Sequence, residues 1–211
     1  MKAIILGATG AVGRDLTQLL LEDSNIEQVD VFVRRKPDFT SDKLKVHVVD
    51  FNHPEQWSKA VKGDVLFSCM GTNRAAAGSK ENQYKVDYTY QYNFAKAAAD
   101  NGVPAYILVS SAMADSKSRF FYTRMKGELE DVVGKLGFSQ LSILRPPSLI
   151  RKNTTKTIEK ISVPVIQFFN KLGLFHSMKP MKTEVVAHAM LSLAKQHQSG
   201  VFNPQDIWNI K

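Results

Sequence analysis

The sequence predicts an α/β fold, a doubly wound parallel sheet forming a single domain over residues 1–211 with a small C-terminal cap. Three observations predict it. Strand and helix signals alternate from end to end, the pattern of a parallel sheet covered by helices on both faces. An apolar run at residues 3–6 breaks into a glycine-rich turn, GATGAVG at 7–13, that opens a helix. With 211 residues, 44% of them hydrophobic, the chain fills one α/β core and leaves no room for a large second domain.

The first strand, with its two isoleucines, reads as buried on both faces. After it, Gly7 allows the tight turn, Gly10 lets the backbone approach a pyrophosphate, and Gly13 lets helix and strand pack closely. The helix starting near Ala11 points its free N–H groups and its dipole at the phosphates. Thr9, Ala11 and Val12 therefore join Gly7, Gly10 and Gly13 as expected cofactor-binding residues. A second strand, residues 28–33, ends at Arg34 and Arg35. An acidic residue at that place would hold a ribose 2′-hydroxyl, whereas arginine accommodates a 2′-phosphate, so the pair argues for NADP over NAD. The third strand, residues 45–49, ends at Asp50, which either accepts a hydrogen bond from adenine or caps the next turn. The fourth, residues 64–69, leads to Gly71 and Thr72. These fall at the same sheet edge as Gly7 and are expected to flank the ribose and phosphates, with residues 74–79 as a loop over the site.

A long helix over residues 82–101 closes at Gly102 and carries Tyr84, Tyr88 and Tyr92, whose four-residue recurrence reads as packing. The fifth strand, residues 106–109, ends in Ser110 and Ser111. The helix over residues 120–136 then carries Tyr122 and Lys126, which share one face at i and i+4. Free tyrosine titrates near pH 10, so proton transfer at neutral pH needs a cation close by, and lysine supplies one. Tyr92 and Lys96 have the same spacing but sit midway down the preceding helix, so position singles out Tyr122 and Lys126. A sixth strand, residues 140–144, ends at Arg145 before two prolines. Residues 154–174 are amphipathic and, with Phe175 and Met178, suit a lid, which makes 146–182 a cap-like segment. A helix over 183–196 and a strand over 206–210 complete the reading.

Composition narrows the function classes. The single cysteine, Cys69, excludes an internal disulfide and a cysteine-based metal cluster, and no histidine–carboxylate cluster suggests a metal site. His188 reads as a packed or surface histidine. No stretch is long and apolar enough for a membrane span, the chain runs into its first strand without a signal-peptide layout, and with a single cysteine a reducing cytoplasm is the expected location. Residues 145–211 hold ten Lys/Arg and three Asp/Glu, which places +7 of the net +8 there. Those cations form no basic run and have no stacking aromatics interleaved, as on a solvated face, and nucleic-acid binding is not expected.

The motifs at 7–13, Arg34-Arg35, Gly71-Thr72, Ser110-Ser111, Tyr122 and Lys126 together resemble the short-chain dehydrogenase/reductase superfamily in its atypical members with a GxxGxxG turn. More narrowly, CMGTNRAAAG, SSAMADSKSRFFYTRMKGELE and SILRPPSLI are similar to the Tat-interacting-protein type, over the chain to about residue 149. The resemblance implies a Rossmann fold and an NADP(H)-dependent oxidoreductase, NADPH preferred over NADH, that interconverts a small carbonyl compound and its alcohol. Tyr122 would be the general acid/base, and Lys126 would stabilise its phenolate and bind the nicotinamide ribose. Ser111, or second to it Ser110, would polarise the substrate oxygen. A non-catalytic NADP(H) sensor is the alternative, and a nucleotide-sugar epimerase is disfavoured because little chain follows Arg145. A monomer or homodimer is expected.

Overall fold

Strand β1 (Lys2–Leu6) lies at the centre because four of its five residues, Ala3 to Leu6, are apolar and fully buried. The computed structural model describes residues 1–150 and 179–210. On either side of β1 lie β2 (Gln28–Val33) with β3 (Leu44–Val48), and β4 (Val65–Ser68) with β5 (Ala105–Val109) and β6 (Gln140–Leu144). A separate two-stranded ribbon joins β7 (Leu149–Ile150) to β8 (Met181–Lys182). The main sheet has seven strands in the order β3-β2-β1-β4-β5-β6-β9, all parallel, with β9 (Gly200–Phe202) on one edge. This is the expected doubly wound Rossmann-like sheet. Chain order reverses between β1 and β4, and Leu6 is level with both Phe32 and Ser68, so a crevice opens at their carboxyl ends.

Alternation along each strand sends successive side chains to opposite layers. Ala3, Ile5, Val31 and Phe67 pack against Leu16 and Leu20 of α1 (Ala11–Glu22). Ile4, Leu6, Leu66 and Leu108 face the other way, against a layer that includes Trp57 of α2 (Pro54–Trp57). The β4–β5 connection holds α3 (Arg74–Ala77), α4 (Lys80–Tyr84) and α5 (Tyr90–Asp100), and α6 (Phe121–Val133) follows β5. Phe94 of α5 and Leu129 of α6 complete the second layer. Helix α7 (Thr183–Gln196) packs beside α1 on the first face, placing Val186 and Met190 in that core.

Three details differ from the sequence reading. Residues 206–210 are not a strand, since most of them belong to α8 (Pro204–Asn209), and the edge strand is β9 instead. Asn203 and Asp206 form a reciprocal capping box with Pro204 in the first turn, a stronger local instruction than the short apolar alternation that suggested a strand. The expected helix over 82–101 is interrupted by a π-helical turn, Lys85–Thr89, between α4 and α5. Residues 74–79 are not open loop: Asn73 caps α3 through the Ala76 N–H at 2.8 Å, and Ser79 caps α4 through the Asn82 N–H at 3.0 Å. Of the cap-like segment 146–182 only the two ends are described, and β7 and β8 bring them side by side. The amphipathic stretch 154–174, with Phe175 and Met178, lies outside the described residues.

Candidate functional site

The glycine turn has the tightness its spacing predicts. Gly7 adopts φ +88°, and a β-carbon there would stand 2.6 Å from the Met70 backbone nitrogen. At Gly13 a β-carbon would fall 2.1 Å from the Gly7 carbonyl oxygen, so helix α1 can lie this close to β1 only without a side chain. The turn is fastened by the Gly10 N–H donating to the Gly7 carbonyl at 2.9 Å. No side chain caps α1, and its first-turn N–H groups, Ala11 to Gly13, have no intrahelical acceptor. Such an end is suited to phosphate oxygens.

Two cavities adjoin across this turn. The first, about 600 Å³, is bordered by Gly7 and Gly10, Arg34 after β2, Asp50 after β3, and Lys85 and Tyr90 from the helices. The second, about 690 Å³, is bordered by Thr9 to Val12, Asp87, Ser110, Tyr122 and Lys126. They share Thr9, Gly10, Gly71 and Thr72, so the floor between them is the glycine turn and the end of β4. Two chambers joined over free helix N–H groups fit the two halves of a dinucleotide with its pyrophosphate between them.

The first chamber separates the two arginines. Arg34 borders it, while Arg35 is exposed and does not. Asp50 borders it as well, and its carboxylate also caps the following turn, accepting from the Asn52 backbone N–H at 2.9 Å and side-chain amide at 2.8 Å. Those hydrogen bonds hold its carboxyl below the usual range. Cys69 borders both chambers with its Sγ 3.8 Å from the Met190 sulfur, and burial pushes its thiol up.

In the second chamber Tyr122 is 40% exposed, and Lys126, one helical turn on, is 3% exposed. Gly127 lets the backbone of residues 115–116 lie directly on α6, since a β-carbon would come within 2.1 Å of the Ser116 nitrogen. Of the two serines, Ser110 borders the chamber and Ser111 does not. Ser110 is 6% exposed and donates its hydroxyl hydrogen to Glu130.

Two acidic residues at this site were not anticipated. Asp87 is buried and pairs with Lys126 at 3.3 Å, while the Thr72 N–H donates to its two oxygens at 3.2 and 3.3 Å. Burial holds the Asp87 carboxyl above its ordinary value, outweighing the pull of Lys126 and of the Thr72 N–H. The π-helical turn carries Asp87, a geometry that recurs at functional sites. A sequence signal existed: Gln83, Asp87 and Gln91 repeat every four residues and are all buried, a polar stripe through a helix core. Its end is tied down, with the Gln91 amide donating to the Asp87 carbonyl and the Ser68 hydroxyl to Gln91, both at 2.8 Å. The second acid, Glu130, forms a bidentate pair with Arg145, and this hydrogen bonding raises the guanidinium's already high value.

A family model described as NAD(P)H-binding matches residues 7–195, which contain both chambers. The chain belongs to the NAD(P)H-binding family. Its ligand is a nicotinamide dinucleotide, and the atypical short-chain dehydrogenase/reductase resemblance holds. "Protein FMP52, mitochondrial" of Candida albicans is 36% identical over 207 residues, covering 95% of this chain and 90% of that protein. "Protein fmp52, mitochondrial" of Emericella nidulans is 40% identical over 182 residues, covering 82% of this chain and 76% of that protein. Among solved structures, the Bordetella bronchiseptica enzyme WbmH in complex with NAD+ aligns with a TM-score of 0.74 at 14% identity, over 96% of this chain and 74% of that one. That likeness is one of fold alone.

These family members correct the cytoplasmic expectation. The relatives are named mitochondrial proteins, which points to the mitochondrion. The reason for the error is physical: a chain with one cysteine forms no internal disulfide in any compartment, so the cysteine count carried no address. Among the described residues no helix is long and apolar enough to cross a membrane.

Proposed function

We propose that this family member is an NADP(H)-dependent oxidoreductase that interconverts a small carbonyl compound and its alcohol, with Tyr122 as general acid/base. The observation that carries the reading is the shared wall of the second chamber, where Tyr122 and Lys126 stand beside Thr9 to Val12 at the end of the glycine turn. Arg34 in the adjoining chamber supports the 2′-phosphorylated cofactor. NADPH, when bound, supplies the hydride. The chain's own part is positional and electrostatic. The α1 N–H groups would hold the pyrophosphate and Lys126, paired with Asp87, would hold a ribose hydroxyl, while the Tyr122 phenol would give a proton to the carbonyl oxygen. The test is NADPH consumption against a panel of small aldehydes and ketones, and NADP+ reduction with the alcohols, with Tyr122→Phe as the blank. Turnover by the wild-type protein that vanishes in the variant is expected, and equal rates in both would end the reading.

One observation favours a second reading, a cofactor-binding sensor that catalyses little. The Lys126 charge is already compensated by Asp87, which lessens its support of a phenolate at Tyr122. A Tyr122→Phe protein that keeps its cellular role would favour the sensor.

A further inference from the structure

Ser110 meets the second chamber with a fixed hydrogen-bond polarity. A serine hydroxyl has one hydrogen to donate and two lone pairs to accept with. The hydrogen is engaged, because Ser110 donates it to Glu130. Both oxygens of Glu130 also accept from Arg145, Nε at 3.1 and 3.2 Å and a terminal nitrogen on Oε2, and a carboxylate so paired has no hydrogen to return to the serine. Among the described residues no group donates to Ser110 Oγ, and the Lys126 ammonium is turned to Asp87. Ser110 borders the chamber at 6% exposure, and its Oγ lone pairs have no donor among the described residues.

We infer that Ser110 meets the substrate as an acceptor, and that the substrate is a hydroxy-carbonyl compound whose hydroxyl donates to Ser110 while its carbonyl faces Tyr122. This rests on the reductase reading and names the substrate class of the same site. A carbonyl oxygen has no hydrogen to give, so set against Ser110 it would oppose lone pair to lone pair. A hydroxyl on a neighbouring carbon supplies the missing donor and orients the carbonyl. In the reaction the carbonyl carbon takes a hydride from NADPH, and its oxygen takes the Tyr122 proton. The products are a diol and NADP+, and the phenolate recovers a proton from water. The substrate hydroxyl is unchanged throughout.

The test follows NADPH consumption with two matched pairs, hydroxyacetone against butanone and 4-hydroxy-2-butanone against 2-pentanone, for the wild type and Ser110→Ala. The hydroxylated member of a pair should be reduced with a kcat/KM about five- to tenfold higher, the size of one neutral hydrogen bond. Ser110→Ala should bring that pair to parity, the hydroxylated member losing its advantage over the ketone; NADPH affinity of the variant checks that it is folded. Parity in the wild type, or a preference that survives in Ser110→Ala, overturns the inference. A second arm needs no turnover: saturation-transfer NMR compares binding of the same four compounds to the NADP+ complex. If none is reduced but the hydroxylated compounds bind the wild type more tightly than Ser110→Ala, the hydroxyl contact stands and the reductase reading falls. If none is reduced and the paired compounds bind alike or not at all, the inference falls as well.

Discussion

Replacing Asp87 by alanine should destabilise the protein far more than replacing both Asp87 and Lys126. The side chains of the pair are 1% and 4% exposed, so the alanine variant strands an ammonium that has almost no access to water. Breaking a buried pair by removing one partner costs about 3–5 kcal/mol, whereas substituting both by apolar groups of similar volume is close to neutral. With a urea slope of about 2–3 kcal/mol/M for a domain of this size, Asp87→Ala should lower the unfolding midpoint by roughly 1–2 M. Asp87→Ala/Lys126→Met should recover most of that loss. Urea unfolding of the wild type, both single variants and the double variant closes the cycle, and the expected coupling is about 2–3 kcal/mol. NADPH affinity in the same set separates the two roles of Lys126, because the double variant regains stability without regaining a lysine for the ribose. The reasoning is refuted if Asp87→Ala costs less than about 1 kcal/mol, or if the double variant loses the sum of the single losses.

Other substitutions probe the turn and the phenol. Gly13→Ala puts a methyl group 2.1 Å from the Gly7 carbonyl oxygen. It should cost about 1–3 kcal/mol by overpacking despite alanine's advantage of about 1 kcal/mol in a helix, and weaken NADPH binding as the amide donors shift. Thermal unfolding and fluorescence titration check both, and an unchanged affinity would show that the turn does not hold the cofactor. Tyr122→Phe removes a hydroxyl from a side chain that is 40% exposed, so stability should stay within about 0.5 kcal/mol. Turnover should nevertheless fall by about 100-fold or more in a coupled NADPH assay. Gly127→Ala brings a methyl group against the Ser116 nitrogen and should lower both stability and turnover by displacing the loop seated beside Lys126.

The glycine turn and the alternation of strands with helices were legible because both are local: a strand ending in a turn that needs φ +88° at Gly7 states its geometry within a few residues. The limits of β1 to β6 were right to within a residue or so for the same reason, whereas the short strands β7 to β9 were not anticipated. Helix α8 was misread, although Asn203, Pro204 and Asp206 spelled out a capped start, because Ile207, Trp208 and Ile210 also fit a short strand. Asp87 was missed although the buried stripe Gln83, Asp87 and Gln91 recurs every four residues, because its meaning comes from Lys126 on α6 and the Thr72 N–H, contacts that only the tertiary fold creates. Glu130 was missed because its meaning comes from Arg145 on the far side of β6 and from Ser110 at the end of β5, an encounter the sheet creates. The serine pair was legible as a site, but which serine borders the chamber and which way its hydroxyl points depend on that tertiary contact.

The central claim is an NADP(H) site in which Arg34 reads the 2′-phosphate. Titration of the purified protein with NADPH and NADH, alongside Arg34→Ala and Arg35→Ala, tests it most directly. NADPH should bind more tightly than NADH, and Arg34→Ala should weaken NADPH by about 10- to 100-fold, the strength of a charge-assisted contact, while leaving NADH almost unchanged. Arg35→Ala, which lies off the chamber, should have a much smaller effect. Equal binding of the two nucleotides by the wild type, or a preference that survives in Arg34→Ala, would contradict the account.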